Sequence, residues 1–205
     1  MQSDNYTPAS VAAEVKKYDG VRRKQAIGSL VKTLHIDNLD VIASYGEDAA
    51  VIQNGRTALL LAADGIWNKL MEIDPYWAGY CAILVNVHDI AAMGGRPVAM
   101  VDILSASDDE VMAQVTNGMR DAANAFNVPV VGGHLHPDAP YNVIDVSILG
   151  VADLENVIYS STAQVGDSII MAIDLNGRIH PSARMNWDSV TQKTPEVLQK
   201  QLGVM

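Results

Sequence analysis

The stretch DPYWAGYCAILVNVHDIAAMGGRPVAMVDILS, residues 74–105, decides the fold because a long helix, a tight turn and a strand follow one another in it. Asp74 and Pro75 predict the helix start, and Gly94 with Gly95 predicts its end. The side chains at helical spacing are Trp77, Tyr80, Cys81, Leu84, His88, Ala91 and Ala92. The opposite helix face carries few charges. The helix is therefore predicted to be covered on both sides, with His88 and Cys81 in the core.

Two strands are predicted upstream of this helix. The first covers 41–53 and is interrupted at Gly46, and the second covers 57–64. Asn54 and Gly55 between them form a strong signal for a hairpin turn. An antiparallel pair is therefore expected to lead into the helix.

A second helix and further strands are predicted downstream. The helix covers 108–127, and Ser107 with Glu110 has the spacing of a capping box. The predicted strands are 97–105, 128–131, 142–152 and 167–174. The order β-β-α-β-α-β-β indicates an α/β fold, arranged as an α+β sandwich in which helices cover one face of a mixed sheet. The apolar strands leave the other face open, which predicts a homodimer with a two-fold, strand-rich interface.

The composition divides the chain into three parts. Residues 1–35 are predicted as an N-terminal helical arm, in which Gly20 separates two short helices. Residues 36–175 form the main domain. Residues 176–205 are polar and are predicted as a linker and the start of a further, absent domain, with a short helix beginning at Thr194. The alternative is a C-terminal helix that docks on the domain or on a partner chain.

The charge distribution and the composition exclude several classes of protein. The net charge is −10, and residues 33–177 contain nineteen acidic but only four basic residues, so binding to nucleic acid phosphates is not expected. No apolar run approaches the length of a membrane span, and the N-terminus lacks the pattern of a secretory signal. The single cysteine, Cys81, excludes a disulfide framework. A cytoplasmic protein is expected.

Three aspartates lie at positions where burying an unpaired charge would cost several kcal/mol of free energy. Asp48 and Asp64 adjoin apolar strands, and Asp89 lies within an apolar helix. Because few basic residues are available, a shared divalent cation would satisfy several of these carboxylates at once, and carboxylate oxygens suit Mg²⁺. Each aspartate taken singly also fits a cap or turn. Together they predict a magnesium site.

Two glycine pairs and one basic cluster are candidate phosphate contacts. Gly94 and Gly95 allow close backbone approach at a helix-to-strand turn, and Gly132 with Gly133 offers a second turn at a strand end. Each pair also fits an ordinary stop signal. Lys24, in the cluster at 22–24, is a candidate partner of an anionic nucleotide tail, with a solvated helix face as the alternative.

His134 and His136 form a His-x-His pair. On a strand, both rings could point to the same side, and with Asp138 nearby they could form a zinc or other transition-metal site. The alternative is a loop in which Pro137 and Pro140 keep the pair from being extended. Contact with phosphate or metal is expected for His134. A simple surface position is the favoured interpretation of His136.

Four motifs in this order resemble the ATP-binding half of the aminoimidazole-ribonucleotide (AIR) synthase superfamily, which includes thiamine-monophosphate kinase and selenophosphate synthetase. They are GEDAAVI at 46–52, LLLAADG at 59–65, NVHDIAAMGGRPVAM at 86–100 and VVGGH at 130–134. The resemblance covers about residues 40–175. Asp89 through Pro97 match the family signature Asp-x4-Gly-Ala-x-Pro, with Gly95 in place of Ala.

The resemblance implies a domain that binds ATP with Mg²⁺ and dimerises through a barrel. It implies that Asp48, Asp64 and Asp89 hold the metal on the phosphates beside Gly132 and Gly133. A full-length enzyme would activate a small-molecule substrate by phosphoryl transfer, and this chain alone is expected to be inactive because the family builds its site with a second domain.

Two departures from the family pattern bear on function. His134 follows the second glycine pair; selenophosphate synthetase also has His at this position, whereas thiamine-monophosphate kinase has Asp. In the helix motif, His88 replaces the usual Ser before Asp89. These changes leave open a selenophosphate synthetase-like enzyme, although the catalytic Cys-containing loop of that enzyme is missing. A non-catalytic nucleotide-binding and dimerisation module is the other alternative.

Overall fold

The computed structural model describes residues 7–106, 108–136, 140–170, 179–180 and 183–187, the last two ranges for the backbone only. The chain divides into two compact units, the first ending at Leu39 and the second beginning at Asp40.

The first unit is helical and has no buried helix residue in its described part. Its elements are α1 (Pro8–Lys17), α2 (Asp19–Arg23), a 3-10 turn (Lys24–Ala26) and α3 (Ile27–Leu34). Thr7 caps α1 in a reciprocal capping box with Ser10. The prediction that Gly20 separates two helices is wrong, because Gly20 lies inside α2 and the break falls at Tyr18, whose backbone is extended.

The second unit is built on a six-stranded mixed sheet. Its strands are β1 (Val41–Ala43), β2 (Ala50–Asn54), β3 (Thr57–Gly65), β4 (Arg96–Ser105), β5 (Val130–Leu135) and β6 (Val143–Asp153). The spatial order is β1-β2-β3-β6-β4-β5, and only the β4–β5 pair is parallel. The predicted hairpin is confirmed, since Asn54 pairs with Thr57 and Gly55 adopts a φ of 64°.

Three helices accompany the sheet: α4 (Asn68–Ile73), α5 (Pro75–Ala92) and α6 (Asp109–Phe126). Helix α5 contacts β3, β4 and β6 on one side and α6 on the other. Eleven of its residues are buried, which confirms that this helix is covered on both sides. Asp74 caps it, because the side chain accepts a hydrogen bond of 2.9 Å from the Trp77 amide.

The two faces of the sheet differ in burial. Along β6, Ile144, Val146 and Ile148 are buried, whereas the residues between them point to the opposite face. On that opposite face, four apolar side chains are between 37% and 47% exposed: Leu61, Val101, Ile103 and Leu149. The predicted mixed sheet with helices on one face is thus confirmed. The dimer barrel stays a prediction.

Several predicted boundaries differ from those of the structure. Asp108 caps α6, since its carboxylate accepts a hydrogen bond of 2.8 Å from the Val111 amide, and the predicted cap residue Ser107 lies outside the described residues. Residues 167–170 form no strand, and the rest of the predicted strand at 167–174 lies outside the described residues. The segment predicted as a polar linker contains a short antiparallel pair, β7 (Ile179–His180) and β8 (Ala183–Trp187). The helix expected at Thr194 also lies outside the described residues.

None of the helices in the described part of the chain has both the length and the apolar character that crossing a membrane requires.

Candidate functional site

One end of the sheet collects two rows of residues that lie across four strands. In the first row, Asp64 of β3 is opposite Val146 of β6, which is opposite Asp102 of β4, which is opposite Gly133 of β5. Val146 is buried, so this row lies on the helix-covered face. Three strand spacings of about 4.8 Å separate its ends by about 14 Å.

The second row lies next to the first, on the open face. It runs from Gly65 through Asp145 and Ile103 to His134. The two rows together place carboxylates, glycines and one imidazole at a single sheet end, on its two faces.

Glycines make room for two carboxylates that the sequence analysis did not single out. A Cβ at Gly133 would overlap Oδ1 of Asp102, and a Cβ at Gly65 would overlap Oδ1 of Asp145. Asp102 is half-buried, and this burial raises the pKa of its carboxyl group above the usual value. The signal for Asp102 and Asp145 in the sequence is a charge at the middle of an apolar strand.

Gly132 and Gly133 were predicted as a turn, and this is wrong. Both lie inside β5 with His134, because the parallel partner β4 extends the strand to Leu135. Since β5 is the last strand of the sheet order, its outer side has no strand neighbour in the described part of the chain. The glycine backbone is therefore accessible from that side.

Asn86 ties the long helix to the site. It is fully buried in α5, and its side-chain oxygen accepts a hydrogen bond of 3.2 Å from the Asp64 amide. Its side-chain nitrogen donates to the carbonyl of Ala82 at 2.8 Å and to that of Asp64 at 3.5 Å. Asn86 thus fixes the backbone of Asp64 at the end of β3.

The other two predicted metal ligands lie in the loop before β2 and on α5. Asp48 is exposed in the loop before β2, whose first residue, Ala50, lies opposite Leu61 of β3. Its neighbour Glu47 is a structural anchor, since its carboxylate accepts a hydrogen bond of 2.9 Å from the Ser160 amide. Asp89 is half-buried on α5, one helical turn after Asn86.

The described residues contain no group of three or more His, Cys, Asp and Glu side chains arranged to hold a metal ion. Mg²⁺ is usually bound in proteins by one or two carboxylates, with phosphate oxygens and water completing its octahedron. The donors at this sheet end are carboxylate oxygens, which fits an ion that binds together with phosphates. The metal-binding role of Asp48, Asp64 and Asp89 stays a prediction.

Gly94 and Gly95 are not brought to this sheet end. They precede β4, whose first residue pairs with Val151 at the opposite end of β6. A Cβ at Gly95 would overlap the side chain of Leu60, and Gly94 adopts a φ of 72°. Close packing and a tight turn account for both glycines, and their contact with a nucleotide stays a prediction.

The remaining candidates are placed as follows. Cys81 is buried, as expected, whereas the prediction of a core position for His88 is wrong because the residue is exposed on α5. Partial burial of the ring still lowers the pKa of the His88 imidazole. Lys24 lies in the 3-10 turn of the first unit, and its role stays a prediction.

The two histidines of the His-x-His pair share one side of the chain. His134 lies opposite Ile103, and the amide of His136 donates a hydrogen bond of 2.9 Å to the carbonyl of Leu104. The ring centroids are 4.5 Å apart, with an interplanar angle of 77°. The expectation that both rings point to the same side is confirmed.

A separate cleft of about 420 Å³ lies beside α6. Asp102, Thr116, Arg120 and Asn124 contribute its polar groups. Asp102 belongs both to this cleft and to the first row, and Asp64 does not line the cleft.

Comparisons with known proteins identify the family of the chain. The sequence profile of "AIR synthase related protein, N-terminal domain" matches residues 46–152. An uncharacterized protein of Methanocaldococcus jannaschii is 46% identical over 200 residues, which are 95% of this chain and 62% of that protein. Thiamine-monophosphate kinase of the same organism is 26% identical over 196 residues, 86% of this chain and 60% of that enzyme.

A solved relative shares the fold. A ThiL protein complexed with AMPPCP and TMP matches with a TM-score of 0.59 and 26% identity, over 70% of this chain and 45% of that one. The chain thus spans about three fifths of the two sequence relatives and less than half of this structure. The profile match covers more than half of the chain and includes β2, β3, α5, β4, α6, β5 and nearly all of β6. The chain therefore belongs to the AIR synthase related protein family, through the N-terminal domain of that family.

Proposed function

We propose that this chain is the ATP- and Mg²⁺-binding part of an enzyme that activates a small-molecule substrate by ATP-dependent phosphoryl transfer. The observation that carries the proposal is the sheet end where Asp64, Asp102 and Gly133 lie in one row, on a fold shared with a relative solved with AMPPCP. AMPPCP is an ATP analogue, and the second M. jannaschii relative is a kinase by name.

Each group at the sheet end has a distinct role in this proposal. Asp48, Asp64 and Asp89 hold Mg²⁺, which neutralises charge on the phosphate oxygens when it is bound. The backbone of Gly132 and Gly133 lies against the phosphates, because these residues have no side chain to keep an anion away.

The chemical contribution of the protein is positioning and electrostatic stabilisation. Phosphoryl transfer needs little covalent help from the enzyme, provided that the phosphate is held in line with its acceptor and its charge is neutralised. Asn86 holds the Asp64 backbone on α5, so that only the side chain of Asp64 has to be ordered when the nucleotide binds.

Dimerisation is part of the proposal. The open face of the sheet exposes Leu61, Val101, Ile103 and Leu149, and a second copy of the chain would bury them. The two-fold contact would complete the barrel that the family resemblance implies.

The test is calorimetric titration with AMPPCP, with and without Mg²⁺. We expect binding only with Mg²⁺, and at least tenfold weaker binding by Asp64→Asn, because one carboxylate of the metal site is lost. Glu155→Gln is the matched control: it removes one exposed carboxylate beyond the far end of β6 and is expected to bind like the natural protein. Equal affinity of Asp64→Asn and Glu155→Gln would contradict the proposed site.

A further inference from the structure

The cleft beside α6 contains a carboxylate to which the proposed function assigns no role. Asp102 lines this cleft from β4 and is half-buried. In the part of the chain that the structure describes, no basic group forms an ion pair with Asp102. Because burial removes part of the hydration of a carboxylate, a cation bound beside Asp102 would replace the water that this group has lost.

We propose that this cleft binds a small molecule that carries an ammonium group on an apolar or aromatic body, with the ammonium group on the carboxylate of Asp102. The proposal does not depend on nucleotide binding, because Asp102 is the residue that the cleft shares with the first row, and Asp64 does not line the cleft.

The lining of the cleft suits the apolar body of such a ligand. Apolar side chains line it from α6 and from the chain at the start of β5: Met119, Ala123, Pro129 and Val130. The volume of about 420 Å³ lies within the range of small-molecule sites, which is about 300–1,000 Å³. A ligand with a single ring therefore fits between α6 and the sheet, with its charged end toward Asp102.

The basic residue of the cleft, Arg120, has its charge offset by a carboxylate other than Asp102. Its Nε donates a hydrogen bond of 2.8 Å to Oδ1 of Asp121, and its Nη2 is 2.8 Å from the same oxygen. Its Nη1 donates to Oδ1 of Asn117, also at 2.8 Å. Arg120 is thus held by neighbours on its own helix, and the carboxylate of Asp102 is left to a cation from the ligand.

Neutral oxygens in the cleft can complete the coordination of an ammonium group. The hydroxyl of Thr116 donates to the carbonyl of Met112 at 2.9 Å, so its oxygen can still accept a hydrogen bond. The side chain of Asn124 is exposed and supplies a carbonyl oxygen. An ammonium group has three N–H donors, and these two oxygens add acceptors to those of Asp102.

The charge around the cleft also favours a cation. Residues 33–177 contain nineteen acidic and four basic residues, and an excess of one sign raises the local concentration of ligands of the opposite sign. An anionic ligand would meet both this field and the carboxylate of Asp102.

The experiment titrates the full chain at neutral pH, without nucleotide, with phenethylamine, which is an ammonium ion under these conditions. Backbone amides are followed by nuclear magnetic resonance. We expect saturable binding with the largest shifts in residues 116–124 and in Val130. Phenethyl alcohol and phenylacetate are matched probes with the same ring and a neutral or a negative group. Phenylacetate should bind at least tenfold more weakly than the amine, and the alcohol should also bind more weakly.

Three variants test the residues of the cleft. Asp102→Asn keeps the shape of the side chain and removes its charge, so it should weaken binding of the amine at least tenfold. Ala123→Leu fills the cleft from a helix that accepts leucine, and it should weaken binding as much. Asp109→Asn is the matched control, because it removes an exposed carboxylate from the first turn of the same helix, outside the cleft. It should bind the amine like the natural protein.

Three outcomes would overturn the proposal. They are unchanged affinity in Asp102→Asn, binding of phenylacetate or of the alcohol as tight as that of the amine, and shifts that lie away from α6 and β5. Circular dichroism establishes that each variant is folded. If Asp102→Asn does not fold, the comparison of the three probes on the natural protein and on Ala123→Leu decides the question.

Discussion

Asn86 connects α5 to the end of β3 through side-chain hydrogen bonds, and its partner cannot be identified from the neighbouring sequence. The sequence shows a polar residue in an apolar helix, which predicts burial with a partner. It does not show that the partner is the backbone of Asp64, which is 22 positions away. Asp102 and Asp145 were missed for the same reason, because the glycines that make room for them belong to neighbouring strands.

Replacement of Asn86 by Ala should destabilise the fold by about 1–3 kcal/mol, because the amide and carbonyl of Asp64 lose a buried partner. The measurement is denaturant unfolding followed by circular dichroism. Asn124→Ala on α6 is the control: Asn124 is exposed, and its replacement should change stability by less than about 0.5 kcal/mol. Equal stability of the two variants would show that the Asn86 hydrogen bonds make no net contribution to the free energy of unfolding.

At the scale of elements, the helices and turns that depend on local sequence were predicted correctly, whereas features that depend on tertiary contacts were not. The helix α5 and the Asn54–Gly55 hairpin follow from caps, turns and periodicity, which are local. The strand β5 was placed too early because Gly132 and Gly133 signal a turn, whereas parallel pairing with β4 keeps them extended. Pairing energy from a distant strand is not visible in a short window of sequence.

The contact between α5 and α6 is another element-scale feature without a local signal. A Cβ at Gly79 would overlap the carbonyl of Val115, and a Cβ at Gly118 would overlap the carbonyl of Tyr76 and come within 2.8 Å of the Tyr80 nitrogen. The two helix backbones are therefore in direct contact, and only glycine fits at these crossing points.

Gly118→Ala should destabilise the second unit by about 1–3 kcal/mol or more, because the added methyl group forces the two helices apart. Thermal unfolding is the measurement. Gly28→Ala is the matched control, since Gly28 lies in helix α3 with nothing within 4 Å of the added carbon. It should leave the melting temperature unchanged or raised. A Gly118→Ala protein as stable as this control would contradict the close crossing.

At the scale of the whole molecule, the fold class and the family follow from four ordered motifs, and the structure adds which face of the sheet is left open. The composition predicts a core and the strand pattern predicts an exposed apolar face. Only the register shows that Leu61 and Leu149 lie opposite each other on that face.

Leu149→Lys should convert the expected homodimer into a monomer, because the charge would be buried against a second sheet. Light scattering at high micromolar concentration measures this. Ile73→Lys, which changes an exposed apolar residue at the end of α4, should remain dimeric. A natural protein that is monomeric under these conditions, or a dimeric Leu149→Lys, would contradict the two-fold interface.

The most direct test of the central claim is a crystal structure of the chain with AMPPCP and Mg²⁺. The account predicts phosphates at the sheet end, with the ion on the carboxylate of Asp64 and at least one of Asp48 and Asp89, and with the backbone of Gly132 and Gly133 against the phosphate oxygens. Nucleotide bound in the cleft beside α6, or phosphates held without any of these aspartates, would contradict it.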